Sequence, residues 1–146
     1  MRISKKAEYA LRALFAIART APAHLHQIQE LSKAEAIPVK FLEQILLTLR
    51  HAGVLTSRRG IRGGYTFAKS PGQIRIGEVI RLMDGPLAPV PCASPTPSET
   101  CTCPDPQTCS LRILMTDVRN DLSALLDNRT IEDAVRAAQG PIEFQI

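Results

Sequence analysis

Along most of this chain hydrophobic positions recur every three or four residues, the period of an amphipathic helix. Ala7, Leu11, Leu14, Phe15 and Ala18 predict a helix from about residue 4 to 19. Leu25, Ile28 and Leu31 begin a short second helix near Gln27 that ends around Ala34. A third starts at Ile37-Pro38, because proline suits a first helical position whose amide would be unpaired anyway. Its apolar stripe is Leu42, Ile45, Leu46 and Leu49, and Gly53 supplies the stop. Two short helices joined by a tight turn, the second amphipathic, follow the helix-turn-helix plan.

The period then changes. Val54-Leu55-Thr56-Ser57-Arg58 and Tyr65-Thr66-Phe67-Ala68 are short β-like runs around Arg59-Gly60-Ile61-Arg62-Gly63-Gly64. They predict a β-hairpin with a cationic, glycine-rich tip, a wing beside the helix-turn-helix. Residues from Gly77 to Met83 predict a short helix closed by Asp84-Gly85-Pro86. The span from Pro86 to Gln107 holds seven of the eleven prolines, which excludes a helix or a central strand. Beyond Cys109 the helical period returns in Leu111, Leu114, Met115, Val118, Leu122 and Leu125. A stripe this long on a small domain exceeds what one core buries, so a partner helix is expected; burial within one subunit is the competing reading. Thr130 caps a last short helix that ends before Gly140-Pro141.

The expected fold is mainly α with a small β-hairpin wing. It divides into a winged helix-turn-helix domain (1–84), a cysteine-rich loop (85–108), and a dimerisation helix followed by a C-terminal helix (109–146).

Charge sharpens the reading. Residues 1–75 carry 13 Lys and Arg against 4 acids, a net of +9, while residues 76–146 carry 5 against 10, a net of −5. The modest overall charge of +4 hides a strongly basic half, which suggests a polyanion partner. The absence of Trp, with two Tyr and four Phe, argues against a single-strand binder that stacks bases on aromatic rings. Duplex DNA needs only cations and a shaped element. Arginine at a glycine-rich tip enters a narrow minor groove or pairs with phosphates, and glycine lets the backbone approach closely. No phosphate-loop or dinucleotide fingerprint is present, and no nucleophile–base or paired-carboxylate constellation, so no enzyme is expected. No apolar run approaches a membrane span, and Arg12 interrupts any secretory h-region, so the cytoplasm is the expected location.

All four cysteines, Cys92, Cys101, Cys103 and Cys109, fall within eighteen residues of the proline-rich loop. Such a loop is built to hold something soft: an iron–sulfur cluster, zinc, or a disulfide switch. A cytosolic location disfavours a permanent disulfide framework. No Cys-x-x-Cys pair occurs, which weakens zinc. The histidines, His24, His26 and His51, lie away from the loop in sequence and read as surface or satisfied side chains.

The helix-turn-helix, the wing Arg59-Gly60-Ile61-Arg62-Gly63-Gly64-Tyr65 and the cysteine loop before a long helix together resemble one family. It is the Rrf-two family of bacterial transcription regulators, the IscR, NsrR and RirA group. Met1-Arg2-Ile3-Ser4, Glu8-Tyr9-Ala10-Leu11, Phe41-Leu42-Glu43-Gln44-Ile45 and Ile76-Gly77-Glu78-Val79-Ile80 resemble it too, so the likeness covers nearly the whole chain. The resemblance implies a homodimer in which a 2Fe–2S or 4Fe–4S cluster controls promoter binding. Carried over, Cys109 corresponds to the last cysteine ligand, Cys103 to the middle one and Cys92 to the first. Two departures stand out. The Cys92–Cys103 interval is longer than in the members it resembles, with Cys101 an extra thiol inside it. Arg112 occupies the place of the histidine that the IscR branch uses. The NsrR branch recruits an acidic residue near the start of helix one from the other subunit, and Glu8 occupies that place. Glu8 also suits a helix start and an i+4 pair with Arg12, so Cys101 competes as fourth ligand.

The sequence therefore predicts a cytoplasmic, homodimeric DNA-binding regulator, for instance a repressor, controlled by a cluster that senses iron, redox or nitric oxide status. Lys40, Glu43 and Gln44 lie on the exposed side of the third helix and face base edges, where a Glu accepts from a cytosine amino group. Arg58, Arg59 and Arg62 contact backbone or minor groove on a wing shaped by Gly60, Gly63, Gly64 and Tyr65, with Ser4 and Lys5 as weaker phosphate candidates. The alternatives are a cluster-free thiol-redox or metabolite- or partner-responsive regulator of the same fold, and a zinc-binding interaction protein.

Overall fold

The structure is a computed structural model that describes residues 2–97 and 100–140. Helix α1 (Lys5–Ala18) starts where the Ser4 hydroxyl accepts from the Ala7 amide at 3.1 Å. Its small buried residues, Ala7, Ala10 and Ala13, let neighbouring helices approach, and Leu11, Leu14 and Ile17 fill the space between. Helix α2 (Ile28–Glu35) ends at Ala36, whose left-handed backbone (φ 51°) turns the chain into α3 (Val39–His51). Pro38 is the N-cap of α3 rather than its first helical residue, because its ψ of 130° is extended. Leu42, Ile45, Leu46 and Leu49 are fully buried on one side of α3, as their spacing predicts.

Strand β1 (Leu55–Arg58) pairs antiparallel with β2 (Gly64–Phe67), Leu55 opposite Phe67 and Arg58 opposite Gly64. β1 starts one residue later than the expected run and ends with it, and β2 lies one residue earlier than expected. Val54 is buried ahead of β1 and accepts from the Ala68 amide at 3.0 Å. The hairpin also has a partner that periodicity did not reveal. His26 and Tyr65 exchange backbone hydrogen bonds of 2.9 and 2.8 Å, so the loop before α2 continues the ladder. That contact explains one glycine: a Cβ on Gly64 would stand 2.6 Å from the His26 carbonyl oxygen. A Cβ on Gly63 would stand 2.2 Å from the Arg58 carbonyl oxygen. The fold itself therefore requires both glycines, apart from any approach to a duplex. Gly60, with φ 106° and open space around it, is the tip glycine.

A one-turn 3-10 segment at Pro71–Gln73 leads into α4 (Ile76–Asp84), whose Val79 and Ile80 pack on α1. A second 3-10 turn, Pro91–Ala93, interrupts the proline-rich loop. Helix α5 (Ser110–Asp127) follows, then α6 (Ile131–Ala138), which opens on a capping box between Thr130 and Asp133. Ile131 of α6 is fully buried against the core of the N-terminal helices, and Arg75 bridges to Thr130 beside it.

Helix α5 behaves differently. None of its residues is buried, and Leu111, Leu114 and Leu125 are 52, 55 and 57% exposed. Two arginines hold it to the rest. Arg81 of α4 grips Asp127 with two hydrogen bonds of 2.7 Å, over Gly77, where any Cβ would collide with the carboxylate. Arg119 donates to the Ala93 carbonyl at 2.5 Å and so pins the 3-10 turn of the cysteine loop onto α5. Among the described residues the architecture is six α-helices with a two-stranded antiparallel hairpin. Among the described residues no helix is long and apolar enough to cross a membrane.

Candidate functional site

Two regions gather the residues picked out from the sequence. On the first, α3 turns its unburied side outward and exposes Lys40, Glu43 and Gln44. Leu47, 39% exposed, shares this face one turn after Glu43. It was missed because it sits off the apolar stripe; its exposure on a polar face is the signal that would have found it. Beside this face the wing exposes Arg58, Arg59 and Arg62, with Ile61 at the tip 96% exposed. The Gln27 side-chain amide donates to the Ile61 carbonyl at 3.0 Å and ties the tip to the start of α2. Arg50 at the end of α3 donates to Ser57 of β1 at 3.2 Å. Helix and wing are thus joined by side chains as well as by chain connectivity. Tyr65 is half-buried and anchors the wing through its bridge to His26.

Ser4 and Lys5 have partners within the chain. The Ser4 amide donates to Asp84 at 2.9 Å and its hydroxyl donates to the same carboxylate. Lys5 donates to Glu8 at 2.9 Å, and Arg12 donates to Glu8 at 3.4 Å. The hydrogen bond from Lys5 holds the Glu8 carboxyl below the usual carboxylate range. Ser4, Lys5 and Glu8, with Arg2, Ile3 and Asp84, line an open cleft of about 820 Å³ at the start of α1.

The second region is the thiol loop. All four cysteines are half-buried and none is in a disulfide. Between Cys103 and Cys109 the chain folds back through an Asx turn, in which Asp105 accepts from the Gln107 amide (3.1 Å) and the Thr108 hydroxyl (2.7 Å). The turn returns Cys109, the N-cap of α5, to within 3.8 Å of Cys103, sulfur to sulfur. The Cys103 amide donates to the Cys101 sulfur at 3.4 Å. Cys101 also lines a small cleft of about 170 Å³ with Cys92, Pro97, Pro106 and Arg112. Arg112 spans the loop by donating to the Pro106 carbonyl at 3.1 Å.

A tetrahedral metal with bonds to sulfur of about 2.3 Å sets its thiolates roughly 3.8 Å apart. The Cys103–Cys109 pair has that separation, and the soft donors suit iron clusters or zinc. Among the described residues, no three thiols lie within 4.8 Å of one another. Cys101, rather than Cys92, is the thiol that touches the pair.

The thiols differ in acidity. Hydrogen bonding to Cys101 and then to Cys109 pushes Cys103 up to about 11, as expected where neighbouring sulfurs compete to ionise. The Arg112 amide at the start of α5, followed by the Cys103 thiol, holds Cys109 below its ordinary value.

Comparison with known proteins bears on both regions. The family model for Rrf2, described as an iron-dependent transcriptional regulator, matches residues 3–137. A helix-turn-helix transcriptional regulator of Rhodobacter capsulatus named rrf2-like is 40% identical over 140 residues, 92% of this chain and 93% of that protein. The regulator IscR of Cronobacter sakazakii is 30% identical over 135 residues, 92% of this chain and 80% of its own length. Among solved structures, CymR, the global cysteine regulator of Bacillus subtilis, superimposes with a TM-score of 0.77 at 28% identity. That match covers 94% of this chain and 98% of CymR.

Proposed function

The chain belongs to the Rrf2 family of transcriptional regulators, and from that premise we propose that it is a homodimeric DNA switch governed by an iron–sulfur cluster. Its partner is a double-stranded operator. Lys40, Glu43 and Gln44 of α3 face base edges, while Arg58, Arg59 and Arg62 of the wing meet phosphates or the minor groove. The exposed apolar face of α5 supports dimerisation, since a contiguous row of half-exposed leucines is costly to leave in water. A cytoplasmic location fits such a regulator.

Cys92, Cys103 and Cys109 would hold the cluster, with Cys101 or Glu8 of the partner subunit as the fourth ligand. When bound, the cluster supplies a soft, redox-active centre whose loss changes the charge and shape of the loop. What the chain contributes is a route from the loop to the DNA-binding half. Arg119 fixes the loop on α5 through Ala93, and Asp127 at the far end of α5 is clamped by Arg81 of α4. Asp84, at the end of α4, holds the start of α1 through Ser4. The observation that carries the reading is the 3.8 Å separation of the Cys103 and Cys109 sulfurs with Cys101 against them.

The same separation favours one second reading, a cluster-free thiol switch. There Cys103 and Cys109 lose two protons and two electrons to an oxidant and close a disulfide. One experiment separates the two. Anaerobically purified protein should be coloured and contain iron and acid-labile sulfide, and Cys103→Ser or Cys109→Ser should bleach it. Colourless protein without iron or sulfide, even after reconstitution, would overturn the cluster reading. Reversible loss of two titratable thiols on mild oxidation would then support the switch.

A further inference from the structure

Beside β2 of the wing, two imidazoles and a carboxylate converge. One ligand atom each from His24, His26 and Glu30 lies within 4.8 Å of the others. His24 Nε2 stands 3.6 Å from Glu30 Oε1, and the two histidine rings meet edge to face with centroids 4.5 Å apart. For bonds of about 2.0–2.1 Å, tetrahedral coordination sets nitrogen and oxygen ligands roughly 3.3 Å apart, close to what His24 and Glu30 already show. We propose that His24, His26 and Glu30 form a site for a single divalent transition ion of the zinc class, separate from the thiol loop.

The surroundings of His26 prepare it for this role. Thr20 has one hydroxyl proton and donates it to the Ile17 carbonyl at 2.8 Å. Its oxygen, 2.7 Å from His26 Nε2, must therefore accept, which places the ring proton on Nε2. Nδ1 keeps its lone pair. Histidine ligands usually direct their second ring nitrogen at such an oriented partner, which fixes the tautomer before the metal arrives. The ring is only 3% exposed, and burial, ahead of the charge on His24, lowers its proton affinity and keeps it neutral. The backbone is fixed too, by the two hydrogen bonds to Tyr65 that make Gly64 obligatory. His24 and Glu30, by contrast, are 47 and 54% exposed in their side chains and open to solvent. The site thus has one rigid ligand and two adjustable ones, with room for a water in the fourth position. Two imidazoles and one carboxylate suit zinc, nickel or cobalt rather than calcium or magnesium, which prefer all-oxygen shells.

Occupancy would join three parts of the chain. Glu30 belongs to the first turn of α2, His24 to the loop after α1, and His26 to the strand-like bridge beside Tyr65 of β2. An ion here would stiffen the wing relative to the helix-turn-helix. Binding of a metal to the folded state alone also raises the melting temperature.

The test is equilibrium dialysis of the full chain against Zn2+, repeated for His24→Ala, Glu30→Gln and Thr20→Val. Melting curves and the Co2+ spectrum accompany each. The unaltered chain should bind one more ion than His24→Ala. Its melting temperature should rise with Zn2+ by more than that of the variant. Glu30→Gln should weaken this ion's binding, and Thr20→Val, which keeps the shape but not the acceptor, should weaken it by about 10–100-fold. Co2+ at this site should give visible bands without the intense near-ultraviolet absorption of cobalt–thiolate bonds. Equal Zn2+ stoichiometry and affinity in all four proteins, with every bound Co2+ showing thiolate absorption, would overturn the proposal. Iron and sulfide content, measured on the same samples, reports on the cluster reading separately.

Discussion

Cys103 and Cys109 lie side by side yet differ in acidity, and that difference can be read chemically. With its acidity raised by the Arg112 amide, Cys109 holds more thiolate than an ordinary cysteine at pH 8, whereas Cys103, at about 11, holds almost none. In metal-free, reduced protein, iodoacetamide should label Cys109 before Cys103, and the Cys103 rate should climb as pH rises toward 11. Peptide mass spectrometry over time checks the order; equal rates at pH 8 would contradict it. Glycine roles are a second matter at this scale. The wing glycines were legible as turn residues, but what Gly64 is for depends on His26, thirty-eight positions away in sequence, and no local pattern announces that approach. Gly64→Ala should separate His26 from Tyr65 and cost about 1–3 kcal/mol, seen as a lowered melting temperature. An unchanged melting temperature would show that the bridge contributes nothing.

Elements with strong periodicity were legible almost to the residue, because burial on one face dictates their pattern. α1 and α3 are of this kind, and Thr130 caps α6 as expected. What periodicity could not show was closure of the loop. The Asx turn at Asp105 and the grip of Arg119 on Ala93 join segments through a few polar atoms. Helix α5 is the informative exception: its leucine stripe is helical but unburied within the subunit. Leu114→Asp should leave the subunit folded, since that side chain is already 55% exposed, and yield monomer in sedimentation. A dimer that survives it would refute α5 as the interface. The Arg81–Asp127 clamp makes a pH-dependent prediction. Hydrogen bonding to Arg81 lowers the Asp127 pKa below its unfolded value near 3.8. Its contribution is therefore fully present above that value and lost as pH falls through the lower folded one. Asp127→Asn should destabilise modestly at pH 7, because the pair is partly exposed. The gap from the unaltered chain should narrow below about pH 4, as the aspartate protonates.

For the molecule as a whole, the basic half read from composition includes Lys40 on α3 and the arginines of the wing, all exposed. If the dimer covers some 6–10 phosphates, affinity should fall by roughly 10³–10⁵ between about 50 and 200 mM salt. Glu43→Ala should leave binding to random duplex unchanged or stronger, since it removes a negative charge, and relax base preference by about 1–3 kcal/mol. Equal weakening on operator and random DNA would make Glu43 a structural residue. Family membership was legible because wing, helix and cysteine loop occur in one order. The ligand set was less so, because four thiols in a proline-rich loop permit several centres and the one geometry that separates them is formed by folding. The most direct measurement is the affinity of an operator, selected from random duplexes, for anaerobic cluster-loaded dimer and for the same protein after the cluster is removed. A cluster that governs DNA binding should change that affinity by about 5–150-fold, the usual range for coupled sites, and Cys109→Ser should behave like the stripped form throughout. Identical affinities for loaded and stripped protein would contradict control by the cluster.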